Sequence, residues 1–225
     1  MTSEATSRFV DLSHVIEDGM STYPGLPGPA ICDFISFEDS HSRYSPGTEF
    51  TIGRIDLVTN TGTYIDTPYH RYRDGHDLVG LDLATISNVP GLVVRVDAAT
   101  TEIDVPHFES IDPAGRAVLV HTGWDRHWRT EQYFVGHPHL TADAASWLRD
   151  RGAVLVGIDS LNIDSIDGGE RPVHSILLRA GIPIIEHMTN LGALPDSGFA
   201  LSAVPPKISG LGTFPVRAHA RVLEG

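Results

Sequence analysis

The sequence predicts a single-domain α/β fold: one mixed β-sheet with flanking helices. Three observations carry that reading. Strand patterns outnumber helical ones along the chain. At least two passages run strand–helix–strand, the order that lays parallel strands side by side. The chain has 225 residues, 41% of them hydrophobic, enough for one sizeable core, and it shows no internal repeat, low-complexity run or linker.

Residues 1–8 are polar and read as a disordered tail, which leaves 9–225 as the folded domain. Phe9 to His14 is a short first strand. Asp18 to Pro29 holds three Gly and three Pro and must be a loop. Within it, Thr22-Tyr23-Pro24-Gly25 is a turn that sets Tyr23 either over a pocket or against the surface. Phe50 to Val58 alternates apolar and polar residues, the period of a half-buried strand, and leads into the polar stretch Thr59–Arg71. Asp74-Gly75 is a turn. Leu92–Val96 and Ala117–His121 are apolar strands. Residues 141–151 form a helix, with Thr141 as N-cap and an apolar stripe of Ala144, Ala145, Trp147 and Leu148. Ala153–Ile158 is a buried strand running into Asp159-Ser160-Leu161-Asn162-Ile163-Asp164. His174–Ala180 is a short helix stopped by Gly181, and Ile182–Glu186 is a central strand. Phe199 to Val222 is mostly strand and turn.

Composition excludes several function classes. The net charge is −13, from 29 acidic and 16 basic residues, and no Lys/Arg cluster offers a footprint for nucleic acid. Cys32 is the lone cysteine, so neither an internal disulfide nor a cysteine zinc site can form. No apolar run reaches membrane-spanning length, and the polar start lacks a signal-peptide core; the expectation is a soluble, cytoplasmic protein. No G-x-G-x-x-G or Walker-type loop supports nucleotide binding, and no G-x-S-x-G elbow supports a serine hydrolase. Twelve histidines favour metal binding or acid–base chemistry near neutral pH.

Two constellations carry that chemistry. Asp66 and His70 can share a divalent cation or act as an oriented base pair; a turn-capping aspartate and a surface histidine fit the same spacing. The helix between His174 and Glu186 turns the chain back, so both side chains can face one cavity. Together the four residues suit one Zn²⁺ or Mn²⁺ with a position open for water. Asp159 and Ser160, just after a buried strand, are candidates to orient His70 or His174 from behind, or they simply make a turn. Tyr23, Tyr64, Tyr69, Trp124 and Phe214 could line a pocket for a flat ring, with the alternative for Trp124 that it packs in the core.

Asn60-Thr61-Gly62-Thr63-Tyr64-Ile65-Asp66-Thr67-Pro68-Tyr69-His70 resembles the H-x-G-T-H-x-D-x-P-x-H signature of the cyclase family, which includes bacterial kynurenine formamidase and isatin hydrolase. The resemblance extends over Asp11-Leu12-Ser13, Tyr23-Pro24-Gly25, Gly157-Ile158-Asp159-Ser160, His174–Leu178, Ile184-Ile185-Glu186 and Asn190-Leu191. It implies a swivelling β/β/α-like fold, a homodimer or homotetramer, and a metal-dependent hydrolase of cyclic or N-acyl amides (arylformamidase or lactam type). Matched position by position, Asp66, His174 and Glu186 fall on metal ligands, and His70 on an acid/base or further ligand. Asn60 and Tyr64 replace two metal-binding histidines of the signature, and neither an amide nor a phenol is a good Zn²⁺ ligand. Two chemistries follow. One uses a single divalent metal at the surviving residues. The other is metal-free, as in a cyclase, dehydratase or isomerase on a carbonyl-rich natural product, with His70 and Glu186 as acid and base and Tyr64 and Asn60 donating to an oxyanion. A binding protein that has lost the chemistry is a third reading of the same replacements.

Overall fold

The computed structural model describes residues 7–223. In chain order its elements are β1 (Ser7–Asp11), β2 (Ala30–Ile35), α1 (Phe37–Ser40), β3 (Ile52–Asp56), β4 (Tyr64–Asp66), α2 (Leu83–Ile86), β5 (Val89–Arg95), β6 (Glu102–Ile103), β7 (Ala117–His121), β8 (His139–Leu140), α3 (Ala142–Asp150), β9 (Leu155–Ile158), α4 (Pro172–Arg179), β10 (Ile184–Glu186), β11 (Phe199–Ser202), β12 (Thr213–Pro215) and β13 (His219–Leu223). Nine strands form one mixed sheet in the order β1-β13-β11-β5-β7-β9-β10-β4-β12. The centre, β5-β7-β9-β10, is parallel, and both wings are antiparallel. This is the mixed α/β sheet that the strand and helix patterns predict.

Alternation along the central strands sorts the core into two layers. Ala117, Leu119, Leu155, Ile65 and Ile185 join one cluster with residues of β1, β11 and β13, on the side where the sheet curls over. Val118, Val120, Val156, Ile158 and Ile184 point the opposite way, against Ala144, Ala145 and Leu148 of α3 and Val173, Leu177 and Leu178 of α4. Period-two side chains therefore serve both faces of the sheet's covered centre. Helix α3 begins where its cap predicts: the Thr141 hydroxyl accepts from the Ala144 N–H at 3.1 Å, an interaction typically worth about 1 kcal/mol. Helix α4 ends at Gly181, whose φ of +76° suits a residue without a Cβ.

Two expectations change. Residues 1–6 of the expected tail lie outside the described residues, whereas Ser7 and Arg8 belong to β1 and pair with Leu223 and Val222. The segment expected as a half-buried strand is β3, which is exposed along its whole length. It pairs only with β2 in a two-stranded antiparallel ribbon, so no second layer covers its apolar residues. Alternation reports a two-faced strand; it does not report whether anything packs on either face. Among the described residues no helix is long and apolar enough to cross a membrane.

One buried histidine, His137, couples folding to pH in the acid range. His137 is 3% exposed, and burial pulls its pKa from 6.5 down to about 4, against a bond to the Pro138 carbonyl that raises it. Between these values the unfolded chain binds more protons than the folded one. Stability contributed by this group is present above about pH 6.5 and is lost as pH falls toward about 4. The unfolding free energy of the parent minus that of His137→Asn is expected to fall with acidification across this window, by up to about 1.4 kcal/mol per pH unit. Urea melts of both proteins at pH 7, 6 and 5 measure it, and a constant difference would show that His137 does not titrate this way.

Candidate active site

Strand register builds the site. Tyr64 lies opposite Glu186, and Asp66 lies between Ile184 on one side and Thr213 on the other. Residues two apart on a strand share a face, so Tyr64, Asp66, Glu186 and Thr213 all point from the sheet toward the α4 layer. Glu186 also stands at the carboxyl end of a parallel strand, where open α/β sheets place their ligands. His70 follows β4 in a 3-10 turn, and Gly212 lets the β12 approach pass against it: a Cβ there would lie 2.4 Å from the His70 nitrogen.

His174 comes from the first turn of α4, and one carboxylate sets both. Asp164 accepts from the Val173 N–H at 2.7 Å and the His174 N–H at 3.0 Å, closing the helix start from eight residues before Pro172. The same carboxylate lies 2.6 Å from His174 Nδ1. A carboxylate only accepts, so Nδ1 carries the hydrogen and Nε2 is left to face the site. There it meets Glu186 Oε1 at 3.5 Å and Asp66 Oδ2 at 3.7 Å. A bare lone pair aimed at two carboxylates is repulsive; a proton or a metal ion at Nε2 resolves it.

The electrostatics follow from that crowding. Burial opposes the His174 imidazolium, yet Glu186, Asp164 and Asp66 together push its pKa up to about 10. Burial pushes Glu186 up to about 7, helped by Asp66 and opposed by His174. Burial likewise works against ionised Asp66, but His70, His174 and the Thr213 hydroxyl outweigh it and hold its carboxyl below the usual range. Asp66 Oδ1 accepts from Thr213, while Oδ2 is buried with no hydrogen-bond partner. Thr213 Oγ also lies 2.8 Å from His70 Nδ1. Burial, then Glu186 and Asp66, raise the Tyr64 phenol well above its ordinary value, so it stays protonated and donates to Glu186 Oε2 at 2.6 Å. Glu186 Oε1 takes the Ile163 N–H at 2.7 Å.

Asp66, His70 and His174 present ligand atoms that all lie within 4.8 Å of one another. An orphaned buried carboxylate oxygen beside two imidazoles fits a divalent cation of the Zn²⁺ or Mn²⁺ kind. Glu186, expected among the ligands, is outside this trio; its oxygens accept from the Tyr64 hydroxyl and the Ile163 N–H. A cavity of about 280 Å³ opens above, lined by Tyr23, Asn60, Tyr64, His70, His174 and Glu186 among others.

The four residues expected to converge do so, and Tyr23, Asn60 and Tyr64 join them. Others are placed elsewhere. Trp124 is buried behind the cavity, its indole N–H donating to the Tyr133 carbonyl at 3.1 Å. Tyr69 is exposed and does not line the cavity, and Phe214 packs against the core. Asp159 orients neither histidine; it accepts from the Thr122 N–H and hydroxyl and the Gly123 N–H, pinning the turn after β7. Ser160 donates to the Pro138 carbonyl at 2.7 Å. The orienting residue is Asp164, at the end of the same polar stretch. Arg71, Asn162 and Arg171 also line the cavity and were not anticipated. Their signal is position: Arg71 adjoins His70, and Arg171 precedes His174 by three residues.

A family model described as "Putative cyclase" matches residues 10–165. Kynurenine formamidase of Bacillus cereus is 30% identical over 220 residues, covering 96% of this chain and 98% of that protein. Among solved structures, one described as "Potential Metal-Dependent Hydrolase With Cyclase Activity" superposes with a TM-score of 0.80 at 25% identity, covering 98% of this chain and 100% of that one. An isatin hydrolase bound to the product analogue thioisatinate shares the fold, with a TM-score of 0.80 at 24% identity over 96% of this chain and 93% of that one. By the family model and by a relative matched along nearly the whole of both sequences, this chain belongs to the cyclase family.

Proposed function

We propose that this protein hydrolyses a cyclic or N-acyl amide, of the arylformamide or lactam type, with one divalent metal held by Asp66, His70 and His174. One observation carries the reading. The unpartnered Asp66 Oδ2 faces His174 Nε2, whose tautomer Asp164 sets, beneath an open cavity. The kynurenine formamidase and isatin hydrolase relatives support the reaction class. A divalent ion at the trio, when bound, supplies Lewis-acid polarisation of the carbonyl and acidifies a water.

The chain's own residues supply the rest. Glu186, with a pKa near 7 in its buried setting, takes a proton from the attacking water. Tyr64 donates to that carboxylate and fixes its direction, so its hydroxyl is committed to the base and is not a free oxyanion donor. The neutral donors that line the cavity are the amides of Asn60 and Asn162, which orient the substrate carbonyl. His70, held at Nδ1 by Thr213, is kept in place as a ligand in this reading, and the proton that Glu186 has taken from the water passes on to the leaving nitrogen. Tyr23 and Leu26 supply the apolar wall for a ring.

The short Tyr64–Glu186 bond favours a second reading, a metal-free acid–base enzyme of the same fold acting on a carbonyl-rich compound. Either reading takes a small-molecule substrate. We also propose a homo-oligomer, supported by the uncovered Ile31, Phe34, Ile52 and Ile55 of the β2–β3 ribbon. A monomer by light scattering at micromolar concentration would remove that proposal.

Three outcomes are expected. Protein purified without chelator carries about one Zn²⁺ or Mn²⁺ per chain, on the ligand logic above. Chelation abolishes hydrolysis of aryl formamides and lactams, and metal restores it. Full activity in chelator would select the metal-free reading. Asp164→Asn weakens Zn²⁺ binding by about 10- to 100-fold in calorimetry, because the orienting carboxylate is lost while all three ligands remain. Unchanged affinity would remove Asp164 from the site. Glu186→Gln lowers kcat by about 10²–10⁴-fold with metal content retained. A variant with near-normal kcat would show that Glu186 is not the base.

A further inference from the structure

Two guanidiniums line the cavity, those of Arg71 and Arg171. Among the described residues neither has a carboxylate within 4.0 Å; exposed arginines such as Arg8, Arg43 and Arg54 share that, and what sets Arg71 and Arg171 apart is that they line the cavity. Arg171 is held in place without being neutralised. Its Nη1 donates to the carbonyls of Ser165 at 3.0 Å, Gly168 at 2.8 Å and Glu170 at 2.7 Å. Among the described residues, the rest of the fork bonds only toward Tyr23. Arg71 is tethered through Nε to the Ser175 hydroxyl at 3.2 Å. Both positions adjoin His174: Arg171 stands at the N-cap position of its helix, and Ser175 is its neighbour. Carbonyl and hydroxyl acceptors fix a guanidinium's direction and leave its charge for a ligand.

We infer that Arg71 and Arg171 form an anion subsite that selects amide substrates bearing a carboxylate away from the scissile carbonyl. The inference rests on the proposed hydrolase reading for the word amide and on the two arginines for the word carboxylate. A planar guanidinium pairs with a carboxylate in a fork that a neutral ester cannot accept equally. The subsite also orients the substrate: with its acid at the arginines, the amide is directed toward Glu186 and His174 in the same cavity.

The test uses 2-, 3- and 4-formamidobenzoate and their methyl esters. Each is measured for binding by calorimetry in chelator, where turnover is expected to stop, and for hydrolysis with metal present. At least one acid is expected to bind ten-fold or more tightly than its own ester, with the advantage shrinking as salt rises. Arg71→Gln and Arg171→Gln should each raise KM for that acid several-fold more than for its own ester, and the double variant should erase the acid's advantage. Arg171 also ties its own loop, so Arg71→Gln, on an exposed side chain, is the cleaner variant. Equal binding of all three acids and their esters, no binding by any of the six, or an acid preference that survives the double substitution would overturn the subsite. Hydrolysis of esters and acids alike would leave the amide-hydrolase reading standing without it. Arginine-dependent binding of an acid with no hydrolysis under any metal would do the reverse.

Discussion

The pairing of β4 against β10 is the constraint on which the site depends. Three residue pairs set it, with Tyr64 opposite Glu186 and Asp66 opposite Ile184. A slip of one residue would turn Tyr64 and Asp66 into the opposite core layer and bring Ile65 into the cavity. Ile65 and Ile185 prevent that slip, since both are fully buried on the other face and could not move to the polar side without losing their packing. Apolar burial on one face thus fixes the polar geometry on the other. The antiparallel addition of β4 to a parallel centre is also what brings residues some 120 positions apart into hydrogen-bond contact.

Three carboxylates around one imidazole would be untenable without positive charge. Asp66, Asp164 and Glu186 are almost fully buried, and His174 touches each. Burying ionised groups is strongly unfavourable unless they are paired and hydrogen-bonded. The protein meets this with distinct devices. Asp164 is satisfied by a helix start, Glu186 by Tyr64 and the Ile163 amide, and Asp66 by Thr213 on one oxygen only. The unsatisfied oxygen is the one that the proposed metal would engage. Tyr64 stands where the family signature has a histidine, and in this setting it serves the carboxylate beside it.

Much of this was legible in the sequence, and the failures have physical reasons. Strand and helix periodicity located the sheet centre, the Thr141 cap and the Gly181 stop, because these are local signals. That His174 and Glu186 can face one cavity followed from a short helix between two strands, whereas their sharing of one ligand set with Asp66 was what the resemblance to the cyclase family implies. Side-chain direction was not legible: Asp159 and Asp164 sit five residues apart in one polar stretch, and only the path of the turn decides which reaches α4. Trp124 and Tyr69 failed as pocket residues because aromatic character says nothing about which side of a turn a ring occupies. β3 showed the alternation of a covered strand although nothing in the described residues covers it. Arg71 and Arg171 are not legible in the sequence because a cation in an acidic chain looks like ordinary surface until the cavity it lines is seen in space.

Asp164 performs two tasks with one pair of oxygens, closing a helix and aiming an imidazole. The start of α4 and the direction of His174 therefore depend on one side chain. A laboratory selection for thermal tolerance would keep this aspartate even if catalysis were irrelevant to the screen. A lineage that abandoned the chemistry would still carry it as a fossil of the helix it starts.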